Sequence, residues 1–295
     1  MQTSVERPIG DTFESVCSIL REHLGSQISK DGLSARYIQI SREILEQSAL
    51  SYRLIWHVVR EQMPEGELNP FIRVLGSQCV PVVRHLLELF ATFVSLSADP
   101  SARTKKFLES ALRDEERHAE QFEKYRGMPA WDEWFRHTEE QKNSLIGEIG
   151  LVGIEPKDWK LFKWPSSSGL APGSRKELGS FSPDVEKVLD YMESRFYRDY
   201  SVAGHVTYRG LLYRAVWRQD ADSRNEDDLK TWERRIILDA TVMRAALLSE
   251  MAVHFRLDSA VIKCREMWGY IRTITNDASD LWDIRYDQLL KPFGK

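Results

Sequence analysis

Arg198 and His205 are the residues of this chain whose types and spacing could together do chemistry. In a continuous helix an interval of seven turns through about 700°, leaving the two side chains within about 20° of each other and about 10.5 Å apart along the axis. An arginine can hold the non-bridging oxygens of a phosphate as charge builds on them. An imidazole, with an ordinary pKa of about 6.5, can take or give a proton near neutrality. The pair points to metal-independent phosphodiester cleavage, with His205 acting on a ribose 2′-hydroxyl or on the leaving oxygen. Asp199 or Ser201 could orient the ring. The alternative is a solvated helix face, because the apolar positions Val188, Met192, Phe196, Ala203 and Val206 point roughly 160° away. Against that, Val202, Leu212 and Val216 share the side of His205, and a helix apolar on both sides is usually central to a bundle.

Arg84 and Glu88 are the second constellation. They stand four apart inside the apolar stretch Val80 to Val94 and can pair along one helix. Such a pair is either a structural ion pair or part of a polar site inside a bundle. Arginine before glutamate is the weaker order for a surface pair, which favours a specific partner for each group. Glu115-Glu116-Arg117-His118 contains one E-x-x-H, whereas di-iron bundles use two plus further glutamates, so it reads as a solvated helix edge and no metal is expected. Trp131, Trp134, Trp159 and Trp164 lie around a central loop, where they could stack on nucleobases or pin the loop to a core. The run Arg218 to Arg235 reads as a solvated turn and helix start. No G-x-S-x-G, no glycine-rich phosphate loop and no local Cys/His dyad occurs, and no cofactor is expected.

A chain of 295 residues with 42% apolar content is long enough for a large core. A net charge of -4 argues against a general nucleic-acid coat protein, though not against a local basic site. Three scattered cysteines, Cys17, Cys79 and Cys264, form no disulfide framework and suggest a reducing cytoplasm. The polar N-terminus lacks a signal-peptide core, and the apolar runs are far short of a bilayer span.

Apolar residues recur at intervals of three and four nearly throughout, which predicts an all-α, multi-helix bundle of about eight or nine helices. The first follows Asp11, with Phe13, Val16, Cys17, Leu20 and Leu24 on one side. The second runs from near Ser34 to near Gln62. A third covers Leu68 to Leu96, bending at Gly76 and Pro81. Asp99-Pro100 opens a fourth that ends at Gly127, and a Trp-rich fifth runs from near Ala130 to before Gly153. A Trp/Pro/Ser/Gly loop, 154–182, with one turn at Arg175 to Leu178, separates an N-terminal helical half (11–153) from a C-terminal half (183–285) of one domain. Ser182-Pro183-Asp184 starts the helix that carries Arg198. That helix either runs unbroken to Trp217 or breaks near Tyr200 to Gly204, with Ser201 capping a new one. Asn225 or Asp227 opens a helix to about Phe255, and Asp258 caps another to about Arg285.

The order of these features, R-x-x-x-E (Arg84 to Glu88), a charged helix (Thr104 to Tyr125), a Trp-containing loop (Trp159 to Trp164) and Y-x-x-Y-S-x-x-x-H (Tyr197, Tyr200, Ser201, His205), resembles a widespread all-helical bacterial family known as a domain of unknown function. The resemblance spans about Tyr37 to Phe255. The same region also looks like the HEPN superfamily, whose ribonucleases carry R-x(4–6)-H, commonly with a polar residue after the arginine; Arg198, Asp199 and His205 fit its longest spacing. By that resemblance Arg198 and His205 would be the catalytic pair, placed across a homodimer interface; Arg84 and Glu88 would support it from a neighbouring helix, beside Asp199 and Ser201. The substrate would be RNA, in toxin or phage-defence biology with a cognate antitoxin or other protein as partner. The chain is much longer than a minimal HEPN unit. A non-catalytic helical interaction module, with Arg84, Glu88 and His205 as a buried polar network binding a protein or a small ligand, is the other reading.

Overall fold

The computed structural model describes residues 6–27, 32–61, 79–165, 175–198, 200–201 and 226–291. Its elements are α1 (Glu6–Ser26), α2 (Gly32–Trp56), α3 (Val80–Ala98), α4 (Pro100–Phe122), α5 (Asp132–Ile149), α6 (Pro183–Met192), α7 (Glu226–His254), α8 (Asp258–Ile271) and α9 (Asn276–Leu281). A last turn, Asp287–Leu289, follows. Three π-helical segments extend helices: His57–Glu61 after α2, Glu193–Tyr197 after α6, and Trp282–Tyr286 after α9. No strand occurs among the described residues, so the fold is an all-α multi-helix bundle.

The bundle is built around α7. Every residue from Asp239 to Ala252 is buried, so this stretch of the helix has no solvated face. Alanines 240, 245, 246 and 252 let neighbours approach closely, and the polar residues on the same helix must therefore find partners inside. Thr241 donates to the Ile237 carbonyl at 2.7 Å and meets the Tyr52 hydroxyl at 3.1 Å. Ser249 accepts from the Trp268 indole at 2.9 Å. The Arg244 guanidinium lies 4.6 Å from the Phe13 ring centre and 4.7 Å from that of Tyr52, and donates to Cys17 Sγ at 3.3 Å. α3 and α2 cover one side of α7, and α1 and α8 the other.

The predicted stripe of α1 is buried, from Phe13 through Leu24. α3 is long and apolar enough to cross a membrane by length and composition, which the apolar runs alone had not suggested; Val83, Leu87, Phe90 and Phe93 instead sit in the core. The expected bend at Pro81 is a correction: Pro81 occupies the first turn of α3, where its missing N–H costs nothing. The start assigned to Leu68 and the bend at Gly76 lie outside the described residues. The expected single helix from Asp258 to Arg285 is two helices, because 272–275 break after Ile271 and α9 restarts at Asn276. Leu257, not Asp258, occupies the N-cap position of α8.

The described parts of the central loop form a strap along α4. The Trp159 indole donates to the Ile154 carbonyl at 2.9 Å, and Trp164 packs edge-on against Phe107 at 5.1 Å. The Phe162 amide donates to Glu109 at 3.2 Å. These tryptophans therefore pin the loop. Trp131 and Trp134 do not; they sit at the far tip of the α4–α5 hairpin, among Phe122, Tyr125 and Phe135. Nearer α6, Arg103 is 5% exposed and donates at 2.9 Å to both the Ser95 and Ser180 carbonyls. Gly179 takes φ +103° beside it, a conformation that favours glycine. One hydrophobic core draws residues from Ile9 to Leu290, and a smaller one under the strap holds Leu108, Leu112 and Ile149.

Candidate functional site at the end of α6

Val188, Met192, Phe196 and Tyr200 are all buried at a constant interval of four. In a regular α-helix each such interval overshoots the turn by about 40°, so the fourth residue would drift off the face. The π segment Glu193–Tyr197 widens one turn and takes back part of that drift, which brings Tyr200 into the core. Ser182 stands at the N-cap of this helix but contributes no side-chain capping bond, and Asp184 pairs with Arg285.

Three helices meet this segment. From α3, Arg84 donates through Nε to Glu88 Oε1 at 3.0 Å. Its guanidinium lies 5.2 Å from the Tyr197 ring centre, with Nη2 3.4 Å from the Tyr197 hydroxyl. From α7, Asp239 accepts from the Tyr200 hydroxyl at 2.7 Å and has Arg235 Nε at 3.5 Å. Asp239 is 2% exposed, and burial lifts its carboxyl from the usual range to about 6, with the Tyr200 bond opposing the rise. From α9, Asp277 takes both Nε and Nη2 of Arg195, at 2.7 and 3.1 Å, and lies 2.8 Å from the Tyr191 hydroxyl. Burial first, then the Asp277 and Asp280 carboxylates, push the Tyr191 phenol well above its ordinary value.

The sequence-predicted residues therefore separate. Arg84 and Glu88 are paired, partly buried, and joined to the Y-x-x-Y segment through Tyr197. Arg198 is exposed and makes no ion pair among the described residues. Ser201 is partly buried and helical. His205, the side chain and position of Asp199, and the question of a helix running to Trp217 lie outside the described residues. Asp239, Arg195 and Asp277 were not singled out from sequence. Asp239 carried a signal, an acid inside the apolar run Ile236-Ile237-Leu238-Asp239-Ala240, since an acid there needs a buried partner. Arg195 and Asp277 carried none, being ordinary charges on helices whose contact no local spacing reveals. Glu115 and His118 join no third ligand: among the described residues no three His, Cys, Asp or Glu side chains converge as a metal ion would require.

Chemically, the segment is a turn of helix fastened on its inward side by tyrosines and on its flanks by ion pairs, with the Arg198 side chain exposed and unpaired among the described residues. No protein-family model, no curated protein and no solved structure matches this chain.

Proposed function

We propose that the chain is a HEPN-like, metal-independent RNA endonuclease or RNA-binding relative, with Arg198 and His205 as the reacting pair. The observation that carries the reading is the contrast at Tyr197–Ser201: Tyr197 and Tyr200 are anchored, while Arg198 between them is exposed and unpaired among the described residues. An arginine on an anchored turn, with no ion pair among the described residues, is suited to take a phosphate without first breaking one. In the reaction His205 removes the ribose 2′-hydroxyl proton, the 2′-oxygen attacks phosphorus, and the imidazolium so formed returns that proton to the 5′-oxygen as its bond to phosphorus breaks. Arg198 holds the phosphoryl oxygens as charge builds there. The products are a 2′,3′-cyclic phosphate and a 5′-hydroxyl end. Arg84 acts as a positioning residue through Tyr197, and Glu88 through Arg84. The reading also takes the protein to be a cytoplasmic homodimer in toxin or phage-defence biology, its partner a cognate antitoxin or another protein; its buried, free cysteines suit a reducing compartment.

The test is incubation of the purified protein with RNA in EDTA. Cleavage is expected, with cyclic-phosphate ends, and is expected to disappear in Arg198→Ala and His205→Ala while melting temperatures stay put. Cleavage that survives both substitutions sinks the proposal, as does a protein that neither binds nor cuts RNA.

A second reading has its own support. Arg84, Glu88, Tyr197, Tyr200 and Asp239 all find partners within the protein, as expected of a helical interaction module whose polar network serves shape rather than chemistry. Under that reading Arg84→Ala lowers the melting temperature and abolishes partner or small-ligand binding, and RNA is untouched by the wild type.

A further inference from the structure

The α4–α5 hairpin carries a surface that neither core uses. Beyond Leu112, the last buried residue of α4, the helix continues for about 15 Å to Phe122. Between Leu112 and Ile149 only Thr138 is buried. Yet the tip gathers Phe122, Tyr125, Trp131, Trp134 and Phe135, every one partly exposed and none belonging to either core. Tyr125 and Trp131 stack at 4.6 Å with their planes 7° apart, and Trp134 meets Phe135 edge-on at 4.9 Å. Met128 beside them is 49% exposed. Closing the turn does not require this: Gly127, at φ +83°, already reverses the chain.

Charge decides what such a surface would hold. From Arg113 to Gln141 there are nine carboxylates against five arginines and lysines, an excess of four that equals the net charge of the whole chain. Arg126 and Arg136 are held by Glu123 and Glu140. Asp132 and Glu139, one face apart by two turns of α5, make no ion pair among the described residues. The aromatic faces already attract cations from the hairpin itself, with the Arg126 guanidinium 4.4 Å from the Phe135 ring centre and the Lys124 ammonium 4.9 Å from that of Tyr125.

We infer that the tip of the α4–α5 hairpin is a docking surface for a lysine- and arginine-rich segment of a partner protein. Trp134, whose neighbours meet it edge-on and which has no cation over its ring among the described residues, supplies a face for an ammonium or guanidinium group, and Asp132 and Glu139 supply the countercharge. RNA is disfavoured here because its phosphates would meet an excess of carboxylates. A second copy of the chain is disfavoured because a two-fold contact would set this acidic patch against itself. The inference does not depend on the proposed nuclease site.

The experiment is fluorescence anisotropy of a labelled Lys/Arg-rich peptide titrated with the full chain, beside a Glu-rich peptide of equal length and a single-stranded RNA. The basic peptide is expected to bind saturably, more weakly as salt is raised. Asp132→Asn with Glu139→Gln, which keeps the rings, is expected to weaken it about tenfold, as is Trp134→Leu, which keeps the charges. Circular dichroism checks that both variants retain their helices; should Trp134→Leu lose them, the charge variant alone decides. Absent binding, binding indifferent to the charge variant, preference for the acidic peptide, RNA captured through the tip, or self-association abolished by Trp134→Leu would each overturn the inference.

Discussion

Asp239, buried, and His254, half-buried, carry pKa shifts that act on stability in opposite pH directions. Asp239 is lifted to about 6 from an ordinary 3.8, chiefly by burial, so the folded state holds its proton more tightly than the unfolded state. Stability tied to this group is greatest below the unfolded pKa and falls as pH rises to about 6. Relative to Asp239→Asn, the wild type is expected to lose about 3 kcal/mol across that window, read by denaturant titration at several pH values. His254 behaves the other way. Its Nε2 lies 2.8 Å from the Tyr37 hydroxyl, and burial lowers its pKa below 6.5. Stability from this group is complete above about pH 6.5 and drains as acid charges the unfolded chain first. His254→Phe is expected to flatten that slope, at the cost of a partner for Tyr37. Arg198, being exposed, should be replaceable by alanine within about 0.5 kcal/mol of wild-type stability.

Among the elements, the joint of α6, α7 and the last π segment is where a single change should do most damage. Arg285 is 8% exposed and gives Nε and Nη2 to Glu250 at 2.6 and 2.7 Å, with Asp184 as a third partner. Burial opposes charge on this guanidinium, but the Glu250 carboxylate outweighs it and raises its pKa. Glu250→Gln or Arg285→Met alone is expected to cost about 3–5 kcal/mol, and the pair Glu250→Leu with Arg285→Met much less, since no buried charge is then stranded. Chemical denaturation of the three variants checks this. The same joint shows what sequence could not convey. Helices α1 and α4 were legible because their apolar residues recur with the α-helical period. The π segments were not, because one widened turn leaves no compositional mark and shifts every later residue around the axis. Tyr200 therefore reads as off the stripe Val188, Met192, Phe196, yet is buried with it. The Arg84–Glu88 bond was legible from spacing of four, whereas the Tyr197, Asp239 and Asp277 contacts join residues far apart in sequence and depend on how the helices cross.

At the scale of the whole molecule, one core drawing on nearly the full length of the chain ties the two helical halves together. The arginine clamp at Ser95 and Ser180 adds a seam between the N-terminal half and the central loop, and Arg103→Ala is expected to make the backbone near Gly179 cleavable by protease well before the helices melt. The three cysteines sit on three different elements, Cys17 in α1, Cys79 at the start of α3 and Cys264 in α8, and all are buried. Burial lifts the Cys79 thiol to about 11 and that of Cys264 to about 12, leaving almost no thiolate at neutral pH. A maleimide reagent should therefore be silent towards the native protein. Each label acquired would timestamp the opening of one identified helix, a built-in clock for how this bundle comes apart.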